Sequence, residues 1–96
     1  MRGGWVYIMA NRYRGAMYVG VSADLAARIY AHRQGCGSKF VQDREARRLV
    51  WAGHFPTIDE AITFEKRLKR WRRQWKFELI EKANSDWDDL YSSLMG

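Results

Sequence analysis

Residues 5–32, WVYIMANRYRGAMYVGVSADLAARIYAH, decide how this chain is read. Two short runs with a period of two flank a basic turn, NRYRG at residues 11–15, and a run with helical spacing follows directly. The alternation puts Val6, Ile8, Met17, Val19 and Val21 on one set of faces, with Trp5, Tyr7, Met9, Tyr18 and Gly20 on the other. Two phenols and a glycine therefore share the less apolar side of a predicted hairpin. Arg28 and His32, one turn apart on the following helix, can look back toward that side. A hairpin serving structure alone has no need of such a cluster.

Arg12, Tyr13 and Arg14 are too bulky for the tightest hairpin turns, so a loop of several residues is expected. Ser22 is the expected cap of a helix over residues 23–34, with Asp24 in its first turn, Leu25 and Ile29 buried, and the glycines around Cys36 stopping it. SKFVQDR at residues 38–44 can form a short helix capped by Ser38. Residues 47–55, RRLVWAGHF, read as a third strand ended by Pro56. Thr57 and Glu60 form a capping box that opens a helix to about residue 73. Its apolar stripe is Ile58, Ala61, Ile62, Leu68 and then Trp71 or Trp75, and Glu65 lies on that same stripe. A second helical segment over residues 74–82 is expected to bury Trp75 and Leu79 or Ile80, and a final turn or short helix follows Asn84. The order strand, strand, helix, strand, helix, helix predicts one α+β domain over residues 1–96, a small three-stranded antiparallel or mixed sheet flanked by helices.

Ninety-six residues make a single domain, and a 47% hydrophobic composition with five Trp, five Tyr and four Phe can fill a modest core. The formal charge of +6 implies a polyanionic partner, DNA or RNA ahead of an anionic membrane surface. No apolar run reaches bilayer length, and the N-terminal residues lack the pattern of a signal peptide. A lone Cys36 cannot make an internal disulfide, and no Cys/His set has zinc spacing. The expectation is a protein of the reducing cytoplasm, monomeric or weakly homodimeric, with no membrane partner. Positive charge is densest from Lys66 to Arg73. The candidate nucleic-acid contacts are Arg12, Arg14, Lys39, Lys66, Lys69, Arg70 and Arg73.

An acid on a buried stripe is destabilising unless it is paired or binds a cation. Glu65 therefore has two readings: a salt bridge to Arg28 or a neighbouring Lys, or a metal site with few protein ligands, which suits Mg²⁺. Arg28 is either a surface arginine or a five-donor fork for a phosphate gathering negative charge. Tyr7 and Tyr18 either pack the sheet or bond a water or phosphate oxygen, and a phenol beside cations can act as a base. His32 is a proton relay, a phosphate contact or a solvated histidine. Asn84 ends a helix or holds a site residue or substrate backbone through its amide.

Together these residues resemble the GIY-YIG nuclease superfamily, in particular its small single-domain branch. VYI at residues 6–8 and YVG at residues 18–20 look like its two half-motifs. The resemblance continues through Arg28, GSKF at residues 37–40, LVW at residues 49–51, EAITFEKRLKRW at residues 60–71 and NSDWDDLY at residues 84–91. It implies that Tyr7 matches the proposed general base and Tyr18 the second active-site tyrosine. Gly20 matches the glycine closing the second half-motif, Arg28 the phosphate-stabilising arginine, and Glu65 the single carboxylate for Mg²⁺ or Mn²⁺. His32 falls where related members carry Tyr or His, and Asn84 resembles a residue that braces the site. The implied chemistry is metal-dependent, in-line hydrolysis of a DNA phosphodiester by water.

Trp5 and Val6 replace the Gly and Ile of the first half-motif, which a strand tolerates, whereas Val21 stands where some repair and restriction members carry a lysine, which predicts weak, narrow or partner-dependent activity. Small members lack separate DNA-binding domains, so the basic helix must supply most phosphate contacts. Two other functions fit the residues: a nucleic-acid-binding module without catalysis, and an interaction protein that dimerises through Trp87 and Tyr91.

Overall fold

The computed structural model describes residues 3–34 and 46–95. The expected short helix at residues 38–44, Cys36 with its flanking glycines, and Lys39 lie outside the described residues. Strands β1 (Gly4–Ala10) and β2 (Met17–Ser22) form the hairpin, and β3 (Arg48–Phe55) pairs with the other edge of β1. Both ladders are antiparallel and the strand order is β2-β1-β3. Of the two sheet types expected, the described strands form the antiparallel one.

Central β1 is covered on both faces, so its alternation separates two apolar clusters. Val6, Ile8 and Ala10 join Val19, Val50, Ala61, Leu68, Phe77, Ile80 and Trp87 on one face. Tyr7 and Met9 join Leu25, Ile29, Ala46 and Leu49 on the other. A register shift between Ile8 and Met9 pairs Ile8 with Trp51 but Met9 with Leu49, a bulge that keeps large side chains of β3 directed into both clusters.

In the hairpin loop, Asn11 Oδ1 accepts the Ala16 N–H at 2.9 Å. A Cβ on Gly15 would stand 2.0 Å from that same oxygen, so only glycine leaves room for the crossing amide. Helix α1 (Leu25–Arg33) begins later than expected, and its cap is Asp24, whose carboxylate accepts from the Ala27 N–H. Ser22 is still the last residue of β2, and its hydroxyl accepts instead from the Asp24 N–H at 3.1 Å. Helix α2 (Ile58–Arg70) is capped as expected, with the Thr57 hydroxyl accepting from the Glu60 N–H. It buries Ala61, Glu65 and Leu68.

Trp71 and Arg72 then adopt extended backbone, both with ψ of 149°, and helix α3 (Arg73–Ala83) starts in a new phase. That break corrects the expected stripe. Phe77 and Ile80 face inward, while Trp75 projects with 49% of its surface exposed. A short helix, α4 (Tyr91–Met95), closes the chain. Asp89 Oδ1 ties it to the sheet by accepting the N–H groups of Leu49 and Tyr91, each at 3.1 Å.

One ionic clamp joins the hairpin loop to α3 and to the C-terminal segment. Arg14 gives Glu81 a bidentate pair, with Nε and Nη2 each 2.8 Å from a carboxylate oxygen. The Trp87 indole N–H donates to Glu81 Oε2 at 2.7 Å. Arg73 Nη2 donates to the carbonyls of Arg14 and Gly15, both at 2.8 Å. Trp87 is fully buried and packs edge-on to Phe77 and Tyr13. Tyr91 is half-buried beneath the Arg33 guanidinium. The two aromatics expected at a dimer interface therefore belong to the packing of the monomer.

The hydrogen bond from Arg14 holds the Glu81 carboxyl down at about 2, against an ordinary value of 4.5. A carboxyl depressed by folding stabilises fully above its ordinary value and loses that contribution as pH falls toward the folded one. Urea denaturation at about pH 5 and about pH 3 should show a marked fall in midpoint for the parent chain and a smaller fall for Glu81→Gln. Equal falls would remove Glu81 as a source of acid sensitivity.

Candidate active site

Tyr7 lies mid-strand on β1 and pairs directly with Gly20 of β2. A Cβ on Gly20 would stand 2.4 Å from the Tyr7 hydroxyl oxygen and 2.5 Å from Cζ. The glycine thus lets the phenol lie across the neighbouring strand, a cross-strand contact that any side chain would block. The group that occupies the space over the glycine is Tyr7 itself.

The Tyr7 hydroxyl ends 3.1 Å from His32 Nε2. The Tyr7, Tyr18 and His32 rings form a triangle, with centroid separations of 6.3, 5.9 and 5.6 Å. Only 1% of Tyr7 and 1% of His32 is exposed, so the solvated alternative for His32 does not hold. The histidine faces inward because α1 places it on the same side as Leu25 and Ile29. Its Nδ1 is the one buried side-chain polar atom without a hydrogen-bond partner among the described residues.

Burial pushes the Tyr7 phenol well above its ordinary value, helped by Tyr18 and the charge of Glu65, while Arg28 opposes the rise. Burial also lowers the His32 pKa below 6.5, and the positive charge of Arg28 adds to the fall. Arg28 is exposed on α1, yet its field reaches both groups. Glu65 approaches from α2, largely buried, and pairs with Lys69 at 2.7 Å. Of the partners expected for this acid, the neighbouring lysine is the one in contact, at the i, i+4 spacing of a helix.

Tyr7, Tyr18, Gly20 and His32 thus meet from β1, β2 and α1, and the charges of Arg28 on α1 and Glu65 on α2 reach Tyr7. Asn84 does not join them by contact. Its Nδ2 donates to the carbonyls of Val50 and Asp88 at 3.0 and 2.9 Å, and its Oδ1 accepts the Asp88 N–H at 3.1 Å. It ends α3 and holds the following loop to β3, so its amide serves the fold. Arg14 and Arg73 are exposed, and each commits part of its guanidinium to the clamp, Arg14 through Nε and Nη2 and Arg73 through Nη2. Arg12, Lys66 and Arg70 remain exposed. Sequence reading missed the Tyr7–Gly20 contact, for which the only signal was the hairpin register, and the half-exposed ledge at Trp75.

The fold and this convergence define the class: a small α+β domain whose central hairpin presents two tyrosines to a helix bearing an arginine and a histidine. The chain belongs to the GIY-YIG family, for the family model of the GIY-YIG catalytic domain matches residues 3–78. It is similar to UPF0213 protein SSP2268 of Staphylococcus saprophyticus, with 33% identity over 82% of this chain and 95% of that protein. A UPF0213 protein of Streptococcus pneumoniae is 31% identical over 81% of this chain and 78% of its own length. The solution NMR structure of UPF0213 protein BH0048 from Bacillus halodurans superposes with a TM-score of 0.55 and 30% identity, covering 90% of each chain. The helices are not membrane spans; none among the described residues is long and apolar enough to cross a bilayer.

Two outcomes follow from the Tyr7 environment. In an NMR titration His32 should protonate below pH 6.5. Because the unfolded histidine binds its proton first as pH falls, stability should decline as the pH drops from 6.5 through the folded value; a His32 midpoint above 6.5 would contradict the burial. Gly20→Ala should displace the phenol, lower stability by about 1–3 kcal/mol and perturb the His32 ring signals. Unchanged signals would show that Tyr7 does not depend on the glycine.

Proposed function

We propose that this chain is a metal-dependent endonuclease that hydrolyses phosphodiester bonds in DNA. The observation that carries this reading is the hydrogen-bonded Tyr7–His32 pair, buried beside a carboxylate and an arginine. Membership of a family named for its catalytic domain agrees with a nuclease, and the net charge of +6 favours a polyanionic substrate.

At neutral pH Tyr7 is protonated and His32 is neutral, given the directions of their shifts. The phenol can therefore receive a proton from the attacking water as it passes its own to His32 Nε2, leaving hydroxide to form the new P–O bond. The tautomer that accepts this proton carries its hydrogen on the buried, unpartnered Nδ1. The charge of Arg28 reaches the same cluster, and its guanidinium is suited to the charge that gathers on the phosphate oxygens. As the P–O bond to the departing strand end breaks, the leaving oxygen takes a proton from solvent.

Glu65 fits a hard divalent cation such as Mg²⁺ or Mn²⁺: one largely buried carboxylate can bind it, with waters and substrate oxygens completing the coordination. No group of three or more acidic, His or Cys side chains among the described residues is placed to hold a metal, so Glu65 would be the protein's ligand to the ion. When bound, the ion would supply Lewis-acid stabilisation of the phosphate and a lower pKa for nearby water. The Lys69 ion pair on Glu65 and the high pKa of Tyr7 favour a second reading, a module that binds nucleic acid without cutting it.

Supercoiled plasmid incubated with the protein and Mg²⁺ or Mn²⁺ separates the two. The nuclease reading expects nicking that falls at least about 100-fold in Tyr7→Phe and in Glu65→Gln, with DNA affinity retained. Cleavage by Glu65→Gln at the parental rate would refute the proposed mechanism. Salt-sensitive binding with no nicking in either metal would favour the binding module.

A further inference from the structure

Trp75 is a large aromatic side chain on a strongly basic surface, with 49% of its area exposed. Its indole has a firm mounting. Trp71 meets it edge-on, with centroids 6.3 Å apart and planes at 82°. The Arg72 guanidinium lies over its ring at 5.6 Å. Trp71 in turn packs edge-on to Phe64 at 5.9 Å, and Phe64 rests on Trp51 and Phe55 of β3. A connected row of rings therefore links the exposed indole to the sheet.

Beside it lies a groove of about 380 Å³ bounded by Trp71, Trp75, Leu79, Glu78 and Lys82. Lys82 lines this groove and Arg72 lies over the indole, both exposed, and Glu78 is the acid lining it. The surface combines an apolar π face with a surplus of cations. A nucleic-acid strand with unpaired bases has the matching chemistry: phosphates for the cations and a free base face for the indole. A duplex satisfies only the first half, because its base faces are already stacked.

We propose that the Trp75 ledge is a stacking site for an unpaired base, so that the DNA this chain acts on carries a single-stranded segment beside duplex. The inference rests on the endonuclease reading and narrows its substrate. It also assigns work to the break at Trp71 and Arg72. An unbroken helix would keep Trp75 on the extension of the buried stripe, whereas the new phase of α3 turns it outward.

Binding can be followed by fluorescence anisotropy with a blunt duplex and with the same duplex bearing a thymidine tail of about 8 nucleotides, within the usual range of strand-binding sites. The parent chain should prefer the tailed duplex. Trp75→Ala should weaken tailed binding about tenfold, as expected for loss of one base–aromatic stack, and change blunt binding less than about twofold. Trp75→Phe should keep most of the preference, which also controls for folding.

A tail preference that survives Trp75→Ala overturns the ledge, as does a parent chain that nicks plasmid but binds both DNAs equally. A parent chain that binds neither DNA overturns the ledge and the endonuclease reading together. Loss of self-association or of binding to anionic vesicles in Trp75→Ala, with tailed binding unchanged, gives the ledge another occupant and overturns the proposal.

Discussion

The contact on which the site depends is the Tyr7 phenol lying across Gly20. Because β1 is the central strand, Tyr7 has no freedom to move sideways; its backbone is fixed by ladders on both edges. The missing Cβ on β2 directs the hydroxyl over the hairpin to His32, while Tyr18 is within two residues of Gly20 on the same strand. The path of the Tyr7 phenol follows from that one cross-strand vacancy, and α1 supplies the histidine it meets. It explains in steric language why a glycine sits in a strand, where glycine ordinarily weakens the structure.

Much of the fold was legible because two periodicities were strong. The alternation in β1 and β2 sorted the side chains correctly, even though β1 is buried on both faces and a fully buried strand can lose that signal. The Thr57 cap was visible because its hydroxyl and Glu60 have a local geometry that tertiary packing does not alter. What failed was non-local. Ser22 and Asp24 are both good caps, and which one serves depends on how far the β2 ladder runs. Trp75 looked like core because apolar spacing was carried across Trp71 and Arg72, where nothing in the residue types announces extended backbone.

Charges were less legible than apolar residues. Arg14 and Arg73 are solvent-facing and basic, as a phosphate contact should be, but Glu81 and two loop carbonyls take some of their donors across sequence separations of 58 to 67 residues. Glu65 was recognisable as unusual, and its Lys69 partner could be read from helical spacing. The approach of Glu65 to Tyr7, by contrast, depends on how α2 packs on the hairpin. His32 shows the same limit: its neighbours in sequence do not reveal that α1 turns it into the cluster. Resemblance to a family supplied the candidate set, and the geometry then separated the members that meet from Asn84, which holds the C-terminal loop.

The placement of β1 also bears on how such a domain can diversify. Tyr7 occupies the strand least able to change without unfolding the sheet, while Arg70, Trp75 and Lys82 occupy exposed helical surfaces outside it. The buried phenol and the exposed cations are therefore carried by separate parts of the molecule. The outer helical surface can accumulate substitutions while the buried cluster around Tyr7 stays unaltered, which makes a chain this small an evolvable platform.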